Sequence, residues 1–291
     1  MRSDLATAGR RPGASVHPQI TTIAALAGAG FRRYATYRQA TAASIFTNSV
    51  FGFLRCYILL AAAAGTASAV SGGYGIVGGY DAAQLATYCW ASQGLLGMVM
   101  LWGWTELGDR IRTGDVVSDL MRPMHPVVSY LAVDLGRAAH ASLTRFVVPI
   151  IVGAAFFDLY DPRRISTYPL FVLSALLGVV VCFGCRYLVN AAGFWMLDIR
   201  GIMLFWTFGT GALTGLAFPL HFLPSGLVTA LWVLTPFPSI LQAPLDVLVE
   251  HGSAGVQLEM IAGQAAWAAV LLGICGYVQR RAERRLVIQG G

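Results

Sequence analysis

The chain has 291 residues, of which 56% are hydrophobic and 12% charged, and its mean hydropathy is +0.64. Soluble domains carry about 25% charged residues, so this composition excludes an ordinary soluble protein. All 20 lysine-or-arginine positions are arginine, which excludes a P-loop lysine and a Schiff-base lysine. The net charge of +6 could indicate a nucleic-acid partner, but arginine-rich cytoplasmic loops of a membrane protein explain it better, and no nucleic-acid partner is expected.

The first predicted elements are a tail and a surface helix. Residues 1–18 resemble a disordered cytoplasmic tail rather than a signal peptide. Residues 19–43 predict an amphipathic helix at the inner membrane surface, because Ile20, Ala27 and Phe31 can share one face. The alternative is an ordinary leader to the first membrane span.

Long apolar runs predict an all-α integral membrane protein with six transmembrane helices. Its transmembrane domain covers residues 44–278, and a basic cytoplasmic tail covers 279–291. The predicted spans are 44–64, 82–104, 137–157, 168–190, 202–219 and 258–277. Arginines concentrate in the tails and in the second and fourth connections, so both termini are expected in the cytoplasm. Arg163 and Arg164 are the exception, since they fall on the outer side.

The segment before the last span is apolar but interrupted by prolines. We expect two short helices, 224–234 and 238–249, that enter and leave the membrane from outside as a re-entrant pair. The alternative is a seventh span, but it would place the basic C-terminal tail outside.

The connection after the second span carries both signs of charge in an otherwise apolar chain. Val116, Val117 and Leu120 can form an apolar stripe, and Pro123 and Pro126 end this short helix. Such a helix could receive force from a cytoplasmic partner. The residues alone equally allow a solvated loop that obeys the positive-inside rule.

The stretch "RIRTGDVVSDLMRPMHPVVSYLAVDLGRA" resembles the central signature of ABC-2 type transporter permeases, in particular the small six-span permeases encoded as two different subunits beside one ATPase. The matching positions are Arg112, Gly114, Leu120, Arg122, Pro123, Pro126, Asp134, Gly136 and Arg137. A second stretch, "PFPSILQAPLDVLVEHG", resembles the re-entrant segment before the last span of the family.

The resemblance implies an exporter subunit in the bacterial cytoplasmic membrane that moves a hydrophobic or amphipathic cargo such as a drug, natural product or lipid. Its partners would be two ABC ATPase subunits, a second permease (a different chain, or else an identical one) and membrane lipid. This chain would bind no cofactor and hold no catalytic residue, because ATP and Mg²⁺ belong to the partner ATPase. The residues implied in docking on that ATPase are Glu106, Asp109, Arg110, Arg112, Asp115, Asp119 and Arg122.

Polar residues inside the spans are candidates for a translocation path. Arg55, Asn48 and Arg145 fall in predicted spans, where ionisable groups are costly and often functional. The alternative for an arginine is that its head snorkels to the membrane surface. The histidines have no metal-ligand spacing, so no metal site is expected. Other functions left open are a transporter driven by an ion gradient, an intramembrane enzyme and an accessory membrane scaffold.

Overall fold

The computed structural model describes residues 18–67, 75–196 and 198–289, and this part of the chain is helical. The predicted tail up to residue 17 and part of the first connection lie outside the described residues. The helices are α1 Pro18–Ala35, α2 Arg38–Ala67, α3 Ala82–Val99, α4 Glu106–Thr113, α5 Val116–Leu120, α6 Pro126–Ala141, α7 Val147–Phe156, α8 Thr167–Ala191, α9 Arg200–Leu213, α10 Ser225–Leu234, α11 Gln242–Leu248 and α12 Ala254–Gln289. A π-helical turn, Ser142–Phe146, joins α6 to α7.

Four helical segments are long and apolar enough to cross a membrane: Arg38–Gly65, Pro126–Phe156, Thr167–Phe194 and Ala254–Arg284. Their lengths of 28–31 residues correspond to about 42–47 Å at 1.5 Å per residue, more than a hydrocarbon core of about 30 Å. They coincide with the predicted first, third, fourth and sixth spans. The other two predicted spans correspond to α3 and α9, which do not meet this criterion, so the six-span arrangement stays a prediction.

Helix α3 lies at the centre of the packing. It is buried from Leu85 to Leu95 and again from Gly97 to Val99. Its Trp90 ring is fully buried, and an added Cβ at Gly52 of α2 or Gly153 of α7 would lie 2.8 or 2.5 Å from that ring. The absence of a side chain at both glycines therefore lets α2 and α7 close around α3. A helix buried on all sides needs no polar face, which explains why α3 shows no amphipathic pattern.

Helix α1 is packed closely against α6. An added Cβ at Gly136 would lie 1.8 Å from the carbonyl oxygen of Ala27, and one at Gly30 would lie 2.2 Å from that of Val133. The two glycines therefore bring the helix backbones into contact. The predicted 19–43 helix is divided at residues 36–37, because α1 ends at Ala35 and α2 begins at Arg38. Its position at the membrane surface stays a prediction.

The helix from α6 to α7 contains the π turn at Ser142–Phe146, and Pro149 explains where the turn occurs. A proline lacks the N–H that would bond to the carbonyl four residues earlier, here that of Arg145, and its ring collides with that carbonyl. The helix relieves this conflict by widening one turn. The π turn places Phe146 and Arg145 against Gly94 and Gly97 of α3.

The proline-rich segment before α12 forms two short helices, α10 and α11, separated by a 3₁₀ turn, Phe237–Ser239. Helix α11 is buried from Gln242 to Val247. Ile240, two residues before α11, also contacts α8 closely, since a Cβ at Gly178 would lie 2.6 Å from the Ile240 carbonyl oxygen. The re-entrant position of this pair stays a prediction. The predicted tail from residue 279 continues α12 as one helix up to Gln289.

Candidate coupling site and buried charge clusters

Helices α4 and α5 form a compact unit between α3 and α6. Gly114 ends α4 with a φ of +82°, a left-handed conformation that glycine adopts without a steric penalty, and the chain turns sharply into α5. Leu107 and Val116 are buried beneath the two helices in one apolar cluster with Trp104 and Val127. The short helices are thereby fixed to the spanning helices.

Arg110 and Asp119 were both expected to face a partner, but the structure pairs them with each other. Nε and Nη2 of Arg110 donate to the two carboxylate oxygens of Asp119 at 2.8 and 3.0 Å. Nη2 also donates to the Ser118 hydroxyl at 2.9 Å. Asp119 is only 8% exposed and accepts a further bond from the Tyr130 hydroxyl of α6 at 2.8 Å. This pair links α4, α5 and α6.

Glu106 lies at the start of α4 and contacts α1. Nη1 of Arg33 is 3.1 Å from both carboxylate oxygens of Glu106. Both side chains are partly exposed, so the pair adds only a small stabilisation. It nevertheless connects the N-terminal helix to the same unit as the Arg110–Asp119 pair.

The remaining predicted docking residues face outward. Asp109 and Arg112 are exposed and 3.6 Å apart, Asp115 is exposed, and Arg122 approaches Asp119 no closer than 3.8 Å. Val117 and Met121 are 49% and 83% exposed beside these charges. We call the outward set the coupling surface, and it consists of Asp109, Arg112, Asp115, Val117, Met121 and Arg122.

Two residues of the signature, Asp134 and Arg137, form a buried cluster with Arg186 of α8. Asp134 accepts from Arg137 Nε at 2.7 Å and from Arg186 Nη2 at 2.8 Å, and all three side chains are at most 5% exposed. Arg137 also donates to the carbonyl oxygens of Gly97 and Met98 at 3.2 and 2.8 Å. These carbonyl oxygens belong to the last turn of α3, where the helix itself supplies no N–H to bond them. The guanidinium of Arg137 supplies the missing hydrogen-bond donors. The sequence did not indicate this cluster, since Asp134 and Arg186 are 52 positions apart.

The three predicted translocation residues all contact α3. Nη1 of Arg55 donates to the Ser92 hydroxyl at 3.0 Å, and Nδ2 of Asn48 lies 3.3 Å from the Gln93 carbonyl oxygen. Nε and Nη2 of Arg55 are buried without a hydrogen-bond partner among the described residues. Arg145 lays its aliphatic stem over Gly97. The structure therefore brings Arg55 and Asn48 onto the α3-facing side of α2 and places Arg145 at another helix contact.

A second polar cluster surrounds Asp246 of α11, at the opposite end of α3 from the coupling surface. Asp246 Oδ1 accepts from the Tyr80 hydroxyl and from Gln242 Nε2, the latter at 2.9 Å, and Oδ2 is 3.0 Å from Nε2 of His221. Gln242 Oε1 accepts from the Tyr88 hydroxyl at 2.7 Å. These contacts join the start of α3 to α11, and they could not be predicted from local sequence patterns because the residues come from distant segments.

Glu250 organises the connection between α7 and α8. Its carboxylate accepts from the hydroxyls of Tyr160 and Thr167, and from the backbone N–H groups of Arg163 and Arg164 at 3.2 and 3.0 Å. Burial alone would raise the pKa of this carboxyl, but the bonds from Thr167, from the Arg164 backbone and from Tyr160 outweigh it and hold the pKa at about 2. Glu250 is therefore an ionised anchor.

The described residues are helical, four of their helical segments are long and apolar enough to cross a membrane, and a compact polar unit lies between α3 and α6, which is the architecture of a polytopic membrane protein. A family model described as ABC-2 family transporter protein matches residues 67–290, and the chain belongs to this family. It is thus a transport permease, the membrane component of a system whose family works with an ABC ATPase. No curated protein and no solved structure matches the chain.

Proposed function

We infer that the chain is the permease subunit of an ATP-driven exporter in a bacterial cytoplasmic membrane, with ATP hydrolysis in a separate chain. The observation that carries this proposal is the coupling surface. Its exposed charges flank the exposed apolar Val117 and Met121, on the α4–α5 unit that is bonded to α1 and α6. Exposed apolar groups with a charged border are typical of a protein-docking surface.

The contacts beneath the coupling surface suggest how movement passes from an ATPase to the membrane. Displacement of α5 would move Asp119, which is bound to Tyr130 of α6 and to Arg110 of α4. Movement of α4 would reach α1 through Glu106 and Arg33. We therefore assign Arg110, Asp119 and Glu106 to force transmission, and Asp109, Arg112, Asp115 and Arg122 to contact with the ATPase.

The transported compound would be hydrophobic or amphipathic, such as a drug, a natural product or a lipid. Arg55, Asn48 and Arg145 remain the candidates for its path, and the unpartnered nitrogens of Arg55 support the choice because a buried guanidinium favours an anionic or polar partner. The full transporter would contain two six-span permeases, identical or different, and two ATPases that bind ATP and Mg²⁺. Arginine distribution supports cytoplasmic termini.

An ion-gradient transporter is the alternative. Such coupling needs an intramembrane carboxylate that exchanges a proton or sodium ion. Asp134 lies within a membrane-crossing helix, but two guanidinium groups hold its carboxylate. This arrangement supports a structural ion cluster and favours the ATP-driven function.

The test is a charge reversal on the coupling surface, Arg112→Glu with Asp115→Arg, in permease reconstituted with its ATPase. We expect at least a tenfold loss of stimulated ATPase activity and transport, about 1.4 kcal/mol or more of docking free energy. Asp158→Arg, at the exposed turn after α7, is the matched control and should change neither. Undiminished ATPase stimulation in the reversed variant, or transport that persists without an ATPase and stops when the ion gradient collapses, would contradict the proposal.

A further inference from the structure

Two histidines and an aspartate from separate elements meet at the end of α3 that is remote from the coupling surface. His221 lies in the 3₁₀ turn Leu220–Phe222, Asp246 in α11, and His251 three residues beyond α11. One ring nitrogen of each histidine and one carboxylate oxygen lie within 4.8 Å of one another. Asp246 is fully buried, whereas both histidines are partly accessible. An ion could therefore reach them.

The Asp246 carboxylate is oriented before any ion binds. Tyr80 and Gln242 both donate to Oδ1, which leaves Oδ2 directed at His221. Metal-ligating groups are commonly held in this way by hydrogen bonds from a surrounding layer of residues. Gln242 is itself fixed by Tyr88, so the support extends into the buried core of α3.

The position of His251 is set by ring packing and by a glycine turn. Its ring stacks on that of His221, with centroids 4.3 Å apart and planes 25° apart, and its centroid is also 4.3 Å from the Tyr80 ring. Its Nε2 lies 3.2 Å from the Gly78 carbonyl oxygen. A Cβ at Gly79, which has a φ of +85°, would lie 2.8 Å from the same nitrogen. The turn at Gly78 and Gly79 thus leaves room for the His251 imidazole, and it brings the Gly78 carbonyl oxygen close to the possible metal ligands.

These donors match one class of metal. Imidazole nitrogens favour zinc and its transition-metal neighbours, while Mg²⁺ and Ca²⁺ select oxygen donors. Ligand atoms about 2.0–2.1 Å from a tetrahedral Zn²⁺ lie about 3.3 Å from one another. The present separations reach 4.8 Å, so a small rotation of the partly exposed His251 side chain would complete the geometry.

We propose that His221, Asp246 and His251 form a Zn²⁺ site. The fourth ligand is a water molecule or the Gly78 carbonyl oxygen. A bound ion fastens the α9–α10 connection, through His221, to α11 and to the α11–α12 connection, and so reinforces the His221–Asp246 hydrogen bond and the stacking of the His221 and His251 rings. This site does not depend on the proposed export function, because its residues lie outside the coupling surface.

The experiment titrates the purified full-length chain, in detergent and without a histidine tag, with Zn²⁺ and separately with Co²⁺. We expect one ion per chain, a visible Co²⁺ absorption of four-coordinate type, and a higher thermal midpoint with Zn²⁺ that EDTA reverses. His251→Asn should weaken Zn²⁺ binding by about 100-fold or more, since loss of even a supporting residue typically costs 10–100-fold. The matched control is His125→Asn, at the N-terminus of α6, which should bind as the unmodified chain does.

Three results would overturn the site. The first is an unmodified chain that binds no stoichiometric Zn²⁺ or Co²⁺, a measurement that needs no variant. The second is an X-ray absorption spectrum of the Zn²⁺-loaded chain that shows thiolate ligands or no imidazole, which would assign the ion elsewhere even if His251→Asn failed to fold. Equal Zn²⁺ affinity of a folded His251→Asn variant and the unmodified chain would have the same meaning.

Discussion

Nε of Arg164 lies 3.2 Å from Oε1 of Glu250, a residue 86 positions further along the chain. Arg164 is one of the two arginines that depart from the expected charge distribution. Its guanidinium is paired with a carboxylate from the α11–α12 connection, so it adds no unbalanced positive charge there. The pair also ties the entry of α8 to the entry of α12, two of the membrane-crossing helices.

Replacing Glu250 should loosen this connection. In Glu250→Ala, the hydroxyls of Tyr160 and Thr167 and the backbone N–H groups of Arg163 and Arg164 lose their common acceptor, and we expect a loss of about 2–3 kcal/mol in unfolding free energy. Thermal unfolding in detergent measures the change. Glu259→Ala, on the exposed face of α12, is the control and should stay within about 0.5 kcal/mol. A midpoint for Glu250→Ala equal to that of the control would show that the anchor contributes nothing.

The Glu250 carboxylate also predicts that the protein becomes less stable at low pH. Its pKa falls from an ordinary 4.5 in the unfolded chain to about 2 in the fold, so its contribution is complete above pH 4.5 and is lost as the pH falls towards 2. We expect the thermal midpoint to decline in this window, and the decline to be smaller in Glu250→Gln, which has no titrating group at this position. Identical pH profiles for the two proteins would assign the acid sensitivity to other carboxylates.

The close contact between Gly136 and α1 predicts that a side chain at this position would separate α1 from α6. In Gly136→Ala, the new methyl group would meet the Ala27 carbonyl, and overpacking of this kind costs about 1–3 kcal/mol. Backbone amides of α1 should then exchange hydrogen faster. The control, Gly273→Ala on α12, has open space at the same atom and should be neutral or slightly stabilising. Unchanged exchange in α1 of Gly136→Ala would contradict the close contact.

The Asp134 cluster predicts that replacing Asp134 lowers the stability of the fold more than replacing Arg186 does. Asp134→Asn leaves two buried guanidinium groups without a counter-charge, and we expect a loss of about 3–5 kcal/mol. Arg186→Met leaves the neutral Arg137–Asp134 pair and removes a guanidinium whose Nε and Nη1 lack partners among the described residues, so its cost should be clearly smaller. Folded yield and thermal midpoint rank the two variants. A larger loss of stability in Arg186→Met than in Asp134→Asn would contradict this prediction.

Arg55 predicts a change in cargo selectivity. Arg55→Met keeps most of the side-chain volume but removes the charge, so transport of anionic amphiphiles should fall about tenfold relative to neutral ones, the equivalent of one charged contact of ~1.4 kcal/mol. Vesicle uptake assays with paired substrates measure this ratio. Arg38→Met, at the exposed start of α2, is the control. An unchanged ratio in Arg55→Met would mean that Arg55 only bonds α2 to α3 through Ser92.

Apolar run length was enough to predict α2, α8 and α12, because a membrane imposes a minimum length on every crossing helix. The short helix predicted in the charged connection corresponds to α5, whereas α4 was not predicted. The direction of their side chains was not predictable: Arg110 and Asp119 are paired because Gly114 folds α5 back onto α4. Likewise, Asp134 meets Arg186 only once α6 packs on α8, and no local pattern records that contact.

The π turn ahead of Pro149 has a consequence for which way Arg145 points. Each residue of an ordinary helix advances the side chains by about 100°, so a turn that holds one extra residue offsets everything beyond it by that angle. Pro149→Ala would restore the amide hydrogen that the Arg145 carbonyl lacks. A helix that then closed in the ordinary way would swing Phe146 and Arg145 away from Gly94 and Gly97. Pro149 thus determines the direction of the Arg145 guanidinium, which lies one helical turn before it.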